Sequence, residues 1–190
     1  MSSKKLYLVS ASPRRKELMQ KLDLNFSVKP ETSFKENIPD GMALEDVPAY
    51  FAEGKAKGFH RHLEKDEVLV AADTVVICDG ELMGKPRHRK NAAEMLAKLS
   101  GKTHKVVTAV CVRDCKNIKV LTDTAFVTFR RLTNKEIEYY VETYTPVDKA
   151  GGYGIQDWIG LSAITRIEGS FYTIMGLPTH LLVELLHEFE

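Results

Sequence analysis

The sequence predicts an α/β protein. Three observations carry that prediction: an apolar, β-branched run from Val68 to Cys78, a strand–loop–helix signal near the start, and two long strand-like runs at residues 104–112 and 119–129. The first reads Val-Leu-Val-Ala-Ala-Asp-Thr-Val-Val-Ile-Cys, the pattern of a strand buried on both faces. Asp73 sits in its middle. A carboxylate there loses hydration and needs hydrogen-bond donors, a cation or a metal beside it. Taken alone, Asp73 is either a structural acid bonded to backbone amides or an acid delivered to a site.

In chain order, Leu6–Val9 is short and apolar enough for a first buried strand. Ser12 then suits a helix N-cap and Pro13 the first helical position, with Leu18, Met19 and Leu22 marking an apolar face. The helix start is a natural anion site, and Arg14 and Arg15 sit against its dipole, a conflict that a bound anion would offset. Residues 25–30 read as a second strand and 31–40 as a polar loop holding Glu31, Glu36 and Asp40. From Leu44 to about Leu63 the pattern is helical. Gly54 and Gly58 each weaken that helix by about 1 kcal/mol relative to alanine, which points to close packing or a bend.

The Asp79-Gly80 pair is a strong hairpin signal that folds Lys85 back toward the Asp73 region. A helix over 91–99 buries Ala92, Met95, Leu96 and Leu99. Gly101-Lys102-Thr103 imitates the tail of a phosphate-binding P-loop, but the earlier glycine would fall at Leu96, so a P-loop is rejected. In the second long run Ala125, Val127 and Phe129 share one face while Thr124 and Thr128 share a wetter one. Thr133 and Glu136 form a capping-box signal for a helix over 134–143. Gly151, Gly152 and Gly154 precede Gln156 in a loop whose composition suits binding better than linking. Residues 163–167 and 170–175 read as a final hairpin around Glu168-Gly169, before an amphipathic helix that starts at Pro178 and runs to Glu190.

The 190 residues form one domain, 1–190, with a composition (44% hydrophobic, 28% charged) of an ordinary globular protein. Lys+Arg 27 against Asp+Glu 26 leaves a net charge of +1, so no global field steers the chain to nucleic acid or membrane. Three cysteines, Cys78, Cys111 and Cys115, lack zinc-ligand spacing and read as reduced core or near-core thiols. No signal peptide or transmembrane run is visible, and the expected location is cytoplasmic. Arg14, Arg15, Lys55 and Lys85 can neutralise phosphates, while Asp73 with a loop acid can hold Mg²⁺ or activate water. That chemistry suits a nucleoside triphosphate better than a nucleic acid, because no basic stripe is interleaved with aromatics.

The ordered blocks Ser10-Ala-Ser-Pro-Arg-Arg-x-Glu-Leu18, Ala71-Ala-Asp-Thr-Val-Val76, Gly84-Lys-Pro86, Ser100-Gly-x-Thr-His-x-Val106 and Asp148-Lys-Ala-Gly-x-Tyr-Gly-Ile-Gln156 resemble the signatures of the Maf family of nucleoside triphosphate pyrophosphatases. Gly176-Leu177-Pro178 fits that family's C-terminal segment. The resemblance implies an inosine-triphosphatase-like (Maf/Ham1) fold: an elongated mixed β-sheet flanked by helices, with a cleft between two lobes. It further implies hydrolysis of dTTP and UTP, and of modified pyrimidine nucleotides, to monophosphate and pyrophosphate. This would be a nucleotide-pool house-cleaning activity using a divalent cation (Mg, Mn or Co). It matches Asp73 to the proton acceptor, Lys55 and Lys85 to phosphate-side lysines, and Ser12, Arg14, Arg15, Thr74 and Gln156 to substrate binding and specificity. Glu36 matches one acid of a usual Asp-Glu pair whose first member is Lys35 here, so Asp73 and Glu36 are the expected metal ligands. Gly54 also departs from the more usual charged residue. A homodimer is suggested by the same resemblance. Two other classes stand beside this reading: a nucleotide-binding regulator of septum formation and cell division without significant turnover, and a nucleic-acid-binding domain, which the neutral charge disfavours.

Overall fold

The computed structural model describes residues 4–189; residues 1–3 and Glu190, the last residue of the expected terminal helix, lie outside the described residues. Among the described residues, seven strands form one mixed sheet: β1 (Lys5–Leu8), β2 (Phe26–Val28), β3 (Glu67–Cys78), β4 (Glu81–Met83), β5 (Thr103–Arg113), β6 (Ile118–Phe129) and β7 (Ile164–Glu168). Their order is β2-β1-β3-β5-β6-β7, with β4 paired to β3 off this path. The helices are α1 (Pro13–Lys21), α2 (Val47–Lys57), α3 (Arg89–Leu99), α4 (Asn134–Tyr144), α5 (Trp158–Ala163), α6 (Phe171–Met175) and α7 (Thr179–Glu188). The protein is therefore α/β, as the sequence predicts. No helix among the described residues is long and apolar enough to cross a membrane.

The chain divides into two compact units. The first comprises residues up to Thr74, Thr108–Asp123 and the segment from Gly176 onward. Here β1 pairs in parallel with both β2 and β3, with Leu6 opposite Phe26 and Val68. Strand β3 is buried along its whole length except at Asp73 and Thr74, which keep partial access. Its apolar side chains, Leu69 and Ala71 among them, pack with Ala52 and Ala56 of α2 and with Ala109 and Cys111 of β5. Helix α2 is shorter than the expected 44–63: a 3₁₀ turn (Leu44–Asp46) leads into it, and Gly58 caps it. Phe59 instead forms a bridge with Thr32 and enters the core, which takes the chain out of helical geometry.

The second unit comprises Val75–Val107 and Thr124–Met175. The Asp79-Gly80 hairpin forms as expected, both residues adopting positive φ, with Val76 opposite Met83. Ala125, Val127 and Phe129 are buried while Thr124, Phe126 and Thr128 are partly exposed, so the expected wetter face of β6 is present. Antiparallel β7 completes this edge. Helix α4 carries the expected capping box: Glu136 N donates to Thr133 Oγ1 at 3.3 Å, and Thr133 N donates to Glu136 Oε2 at 2.8 Å. The expected hairpin over 163–175 is only half right. Residues 164–168 form β7, but Gly169 turns at φ +101° and Phe171–Met175 coil into α6. A Cβ at Gly169 would approach the Ala125 Cα to 3.0 Å, so the end of β7 lies close against β6. Cys78 and Cys111 are buried, but Cys115 is exposed in the polar β5–β6 turn and is not a near-core thiol.

Candidate active site

In the first unit, three sequence-predicted residues meet. Lys55 projects from α2, Asp73 from the partly open point of β3, and Glu36 from the loop before α2. The Lys55 ammonium is shared between the two acids: it bonds Asp73 Oδ1 and lies 2.7 Å from Glu36 Oε1. Lys55 and Asp73 are each 13% exposed at the side chain, whereas Glu36 is 51% exposed. The cluster is thus anchored on two rigid elements and opens toward solvent through the third member. Asp73 is paired with a cation, as its partial burial requires.

Thr74, the next residue, turns to the other side of β3 and joins a second network. Arg15 donates from Nε to the Gly176 carbonyl at 2.8 Å, from Nη1 to Ser10 Oγ at 3.2 Å and from Nη2 to Thr74 Oγ1 at 3.1 Å. Thr108 of β5 donates to Thr74 Oγ1 at 3.0 Å. Desolvation pulls the Arg15 pKa below the ordinary guanidinium range, the Asp73 and Glu36 charges act in the opposite direction, and the Arg14 charge adds to the lowering. Arg15 thus feels the charges of Arg14, Asp73 and Glu36 together. Ser12 occupies the N-cap position of α1, but its side chain makes no cap bond; its backbone N–H is taken by Ser10 Oγ at 3.2 Å. The expected side-chain cap from Ser12 is therefore absent, although Ser12 does hold the N-cap position.

Lys85 and Gln156 belong to the second unit. Both are exposed, Lys85 just past the β4 ladder and Gln156 just past the glycine-rich turn. That turn is built by packing. Gly151 and Gly152 have φ of +70° and +72°, a Cβ on Gly151 would lie 3.0 Å from Val76, and Gly151 N–H donates to the Gly84 carbonyl at 3.1 Å. Tyr153 follows, fully inside, with its hydroxyl 2.7 Å from His104 Nε2. Burial holds His104 at about 4 and pushes Tyr153 above the ordinary phenol range.

Ser10, Thr108 and Gly176 escape a search for charged candidates. Thr108 carried a usable signal, because it is a lone hydroxyl in the apolar run 106–112, the same anomaly that singles out Asp73 in β3. Gly176 is revealed only by contact: a Cβ there would come within 3.3 Å of Thr74 Oγ1.

Two carboxylates converging on one cation form a donor set that suits Mg²⁺, which commonly takes one or two protein carboxylates and completes its shell with phosphate oxygens and water. Among the described residues no cluster of three or more His, Cys, Asp or Glu side chains forms a protein-only cage. Asp73 and Glu36 are the residues that fit such a cation.

The family model described as "Maf-like protein" matches residues 5–189. A dTTP/UTP pyrophosphatase of Porphyromonas gingivalis is 48% identical over 187 residues, covering 97% of this chain and 94% of the relative. The dTTP/UTP pyrophosphatase of Phocaeicola vulgatus is 43% identical, covering 94% of this chain and 92% of that protein. The one from Bacteroides thetaiotaomicron is 44% identical, with 91% and 90% covered. A family match over nearly the whole chain, joined to near-complete alignment with these relatives, means that this chain belongs to the Maf family.

Proposed function

We propose that the chain is a nucleoside triphosphate pyrophosphatase that hydrolyses dTTP and UTP to the monophosphate and pyrophosphate, with residues 1–190 acting as one functional module. The observation that carries this reading is the Glu36–Lys55–Asp73 cluster. It supplies an acid pair and a cation at a partly open point of an otherwise buried strand. Relatives at 43–48% identity carry the corresponding name.

Hydrolysis between the α- and β-phosphates needs an activated water, neutralisation of the non-bridging oxygens and stabilisation of the leaving pyrophosphate. Asp73 accepts the proton from the attacking water. Lys55, released from its bridge to the acids as phosphate arrives, turns its charge to the phosphoryl oxygens. Arg14 and Lys85 bind the triphosphate. Arg15 already donates to Gly176, Ser10 and Thr74, so its role is to hold Thr74 and the turn at Ser10–Ser12 in place. Glu36 orients water or holds the cation with Asp73. A divalent cation of the Mg, Mn or Co class, when bound, supplies positive charge against the phosphate oxygens. Gln156 has the donor-and-acceptor pair that matches the adjacent carbonyl and N–H groups of a pyrimidine edge, and Thr74 supports selection of the base.

A pyrophosphate-release screen over canonical and modified nucleotides, with Mg²⁺, Mn²⁺ and Co²⁺, tests the reading. The wild type should release pyrophosphate from dTTP and UTP ahead of purine nucleotides. Gln156→Glu replaces the amide donor with an acceptor and should erase that preference; an unchanged preference would remove Gln156 from base selection.

A further inference from the structure

We propose that Gly54 and Gly58 form a seat for Phe34 and that this seat positions Glu36 for the reaction, an inference that rests on the role just assigned to Glu36. The loop that carries Glu36 has no regular structure between residues 33 and 39, and Glu36 itself is half-exposed. Something must hold it against Lys55. Two residues before it, the Phe34 ring lies directly on the backbone of α2. A Cβ added at Gly54 would sit 2.5 Å from both Cδ2 and Cζ of that ring. One added at Gly58, one helical turn on, would sit 2.6 Å from Thr32 Oγ1 and 2.8 Å from the Phe34 backbone nitrogen. Distances below 3 Å cannot be accommodated without displacement. The ring has little room to give, since it packs edge-on against Tyr50 at 5.7 Å and Phe51 at 5.9 Å between centroids.

The backbone is fastened at the same place. Ser33 N–H donates to the Gly58 carbonyl at 2.8 Å, and Thr32 Oγ1 donates to the Lys55 carbonyl at 3.2 Å. The loop is therefore tied to the turn of α2 that presents Lys55, and the acid and its cation share one support. Glycine is a poor helix former, and its presence at Gly54 inside α2 is explained by this approach. Gly54, Gly58 and Phe34 are positioning residues, acting through Glu36.

The test is Gly54→Ala, read by hydrogen–deuterium exchange over residues 32–38 and by kcat for pyrophosphate release. Exchange should quicken, and kcat should fall about 10- to 100-fold, the scale of a displaced catalytic group. In a Glu36→Gln background the same substitution should cause no further fall in kcat. Unchanged exchange would overturn the seat. An equal fall in both backgrounds would show that the effect does not pass through Glu36. If Gly54→Ala does not fold, Phe34→Leu removes the ring without adding a Cβ and is held to the same readings. If the wild type releases no pyrophosphate from any nucleotide, the proposed function fails, and with it the role of the seat in catalysis, while the exchange comparison still decides whether the seat exists.

Discussion

Two carboxylates on one strand, Glu67 and Asp73, show how the same chemistry is used to opposite ends. Glu67 at the start of β3 is 4% exposed and receives four hydrogen bonds: two from Arg61 at 2.6 and 2.9 Å, one from the Tyr7 hydroxyl at 3.0 Å and one from the Glu64 amide at 2.9 Å. Every lone-pair direction is occupied. The Arg61 guanidinium bonds, above all, hold its carboxyl at about 2, well below the usual carboxylate range. Asp73, six residues on, is held through Oδ1 by Lys55, and that lysine is shared with Glu36. A bidentate guanidinium saturates and fixes an acid, whereas an ammonium on a flexible stem can be drawn away by a competing anion. Glu67 is built to stay bonded. Asp73 shares its cation with Glu36, and the proposal that it is the reactive acid rests on this difference.

The largest effect should come from Asp73→Asn. Removing the proposed proton acceptor should lower kcat by about 10²–10⁴-fold while the protein stays folded, because asparagine keeps the shape of the side chain and Glu36 still faces Lys55. Near-normal turnover would erase the distinction between the two acids.

Stability against pH sharpens the same contrast. His104 is buried and takes its proton only near pH 4, while the unfolded chain takes it at about 6.5. Protonation therefore favours the unfolded state, and stability should decline between pH 6.5 and 4 by up to about 3 kcal/mol. A His104→Gln variant should lose that portion of the decline. Glu67 acts lower: its stabilisation is complete above pH 4.5 and disappears as the pH falls toward 2. Chemical denaturation of His104→Gln and Glu67→Gln across this range separates the two contributions.

The smallest effect expected is that of Glu67→Gln at neutral pH. It should cost about 1–3 kcal/mol of stability, the range for losing bonds to a buried charged group, and leave turnover per folded molecule unchanged. A loss of turnover without loss of stability would place Glu67, and not Asp73, near the chemistry.

What could be read in advance follows from the range of the forces involved. Strand β3 was legible because burial on both faces demands an uninterrupted apolar run, and the two residues that break the run, Asp73 and Thr74, are the two that keep solvent access. The start of α4 was legible because a capping box is a contact three residues long. Residues 171–175 misled because Phe171, Tyr172, Thr173 and Ile174 favour strands as single residues, yet after the turn at Gly169 they coil into α6. The site was legible as a set of residue types but not as a geometry. Nothing local to Lys55 indicates that it bridges Asp73, eighteen positions away, and Glu36. The glycines of α2 announced a close approach by their cost to the helix, yet Phe34 as the approaching group became visible only in three dimensions.

The central claim, that Asp73 activates a water for attack on the α-phosphorus, is tested most directly by hydrolysing dTTP in ¹⁸O-labelled water and weighing the products. The account predicts one ¹⁸O atom in the nucleoside monophosphate, unlabelled pyrophosphate, and neither product formed at an appreciable rate by Asp73→Asn. Label in the pyrophosphate, or full turnover by Asp73→Asn, would contradict it.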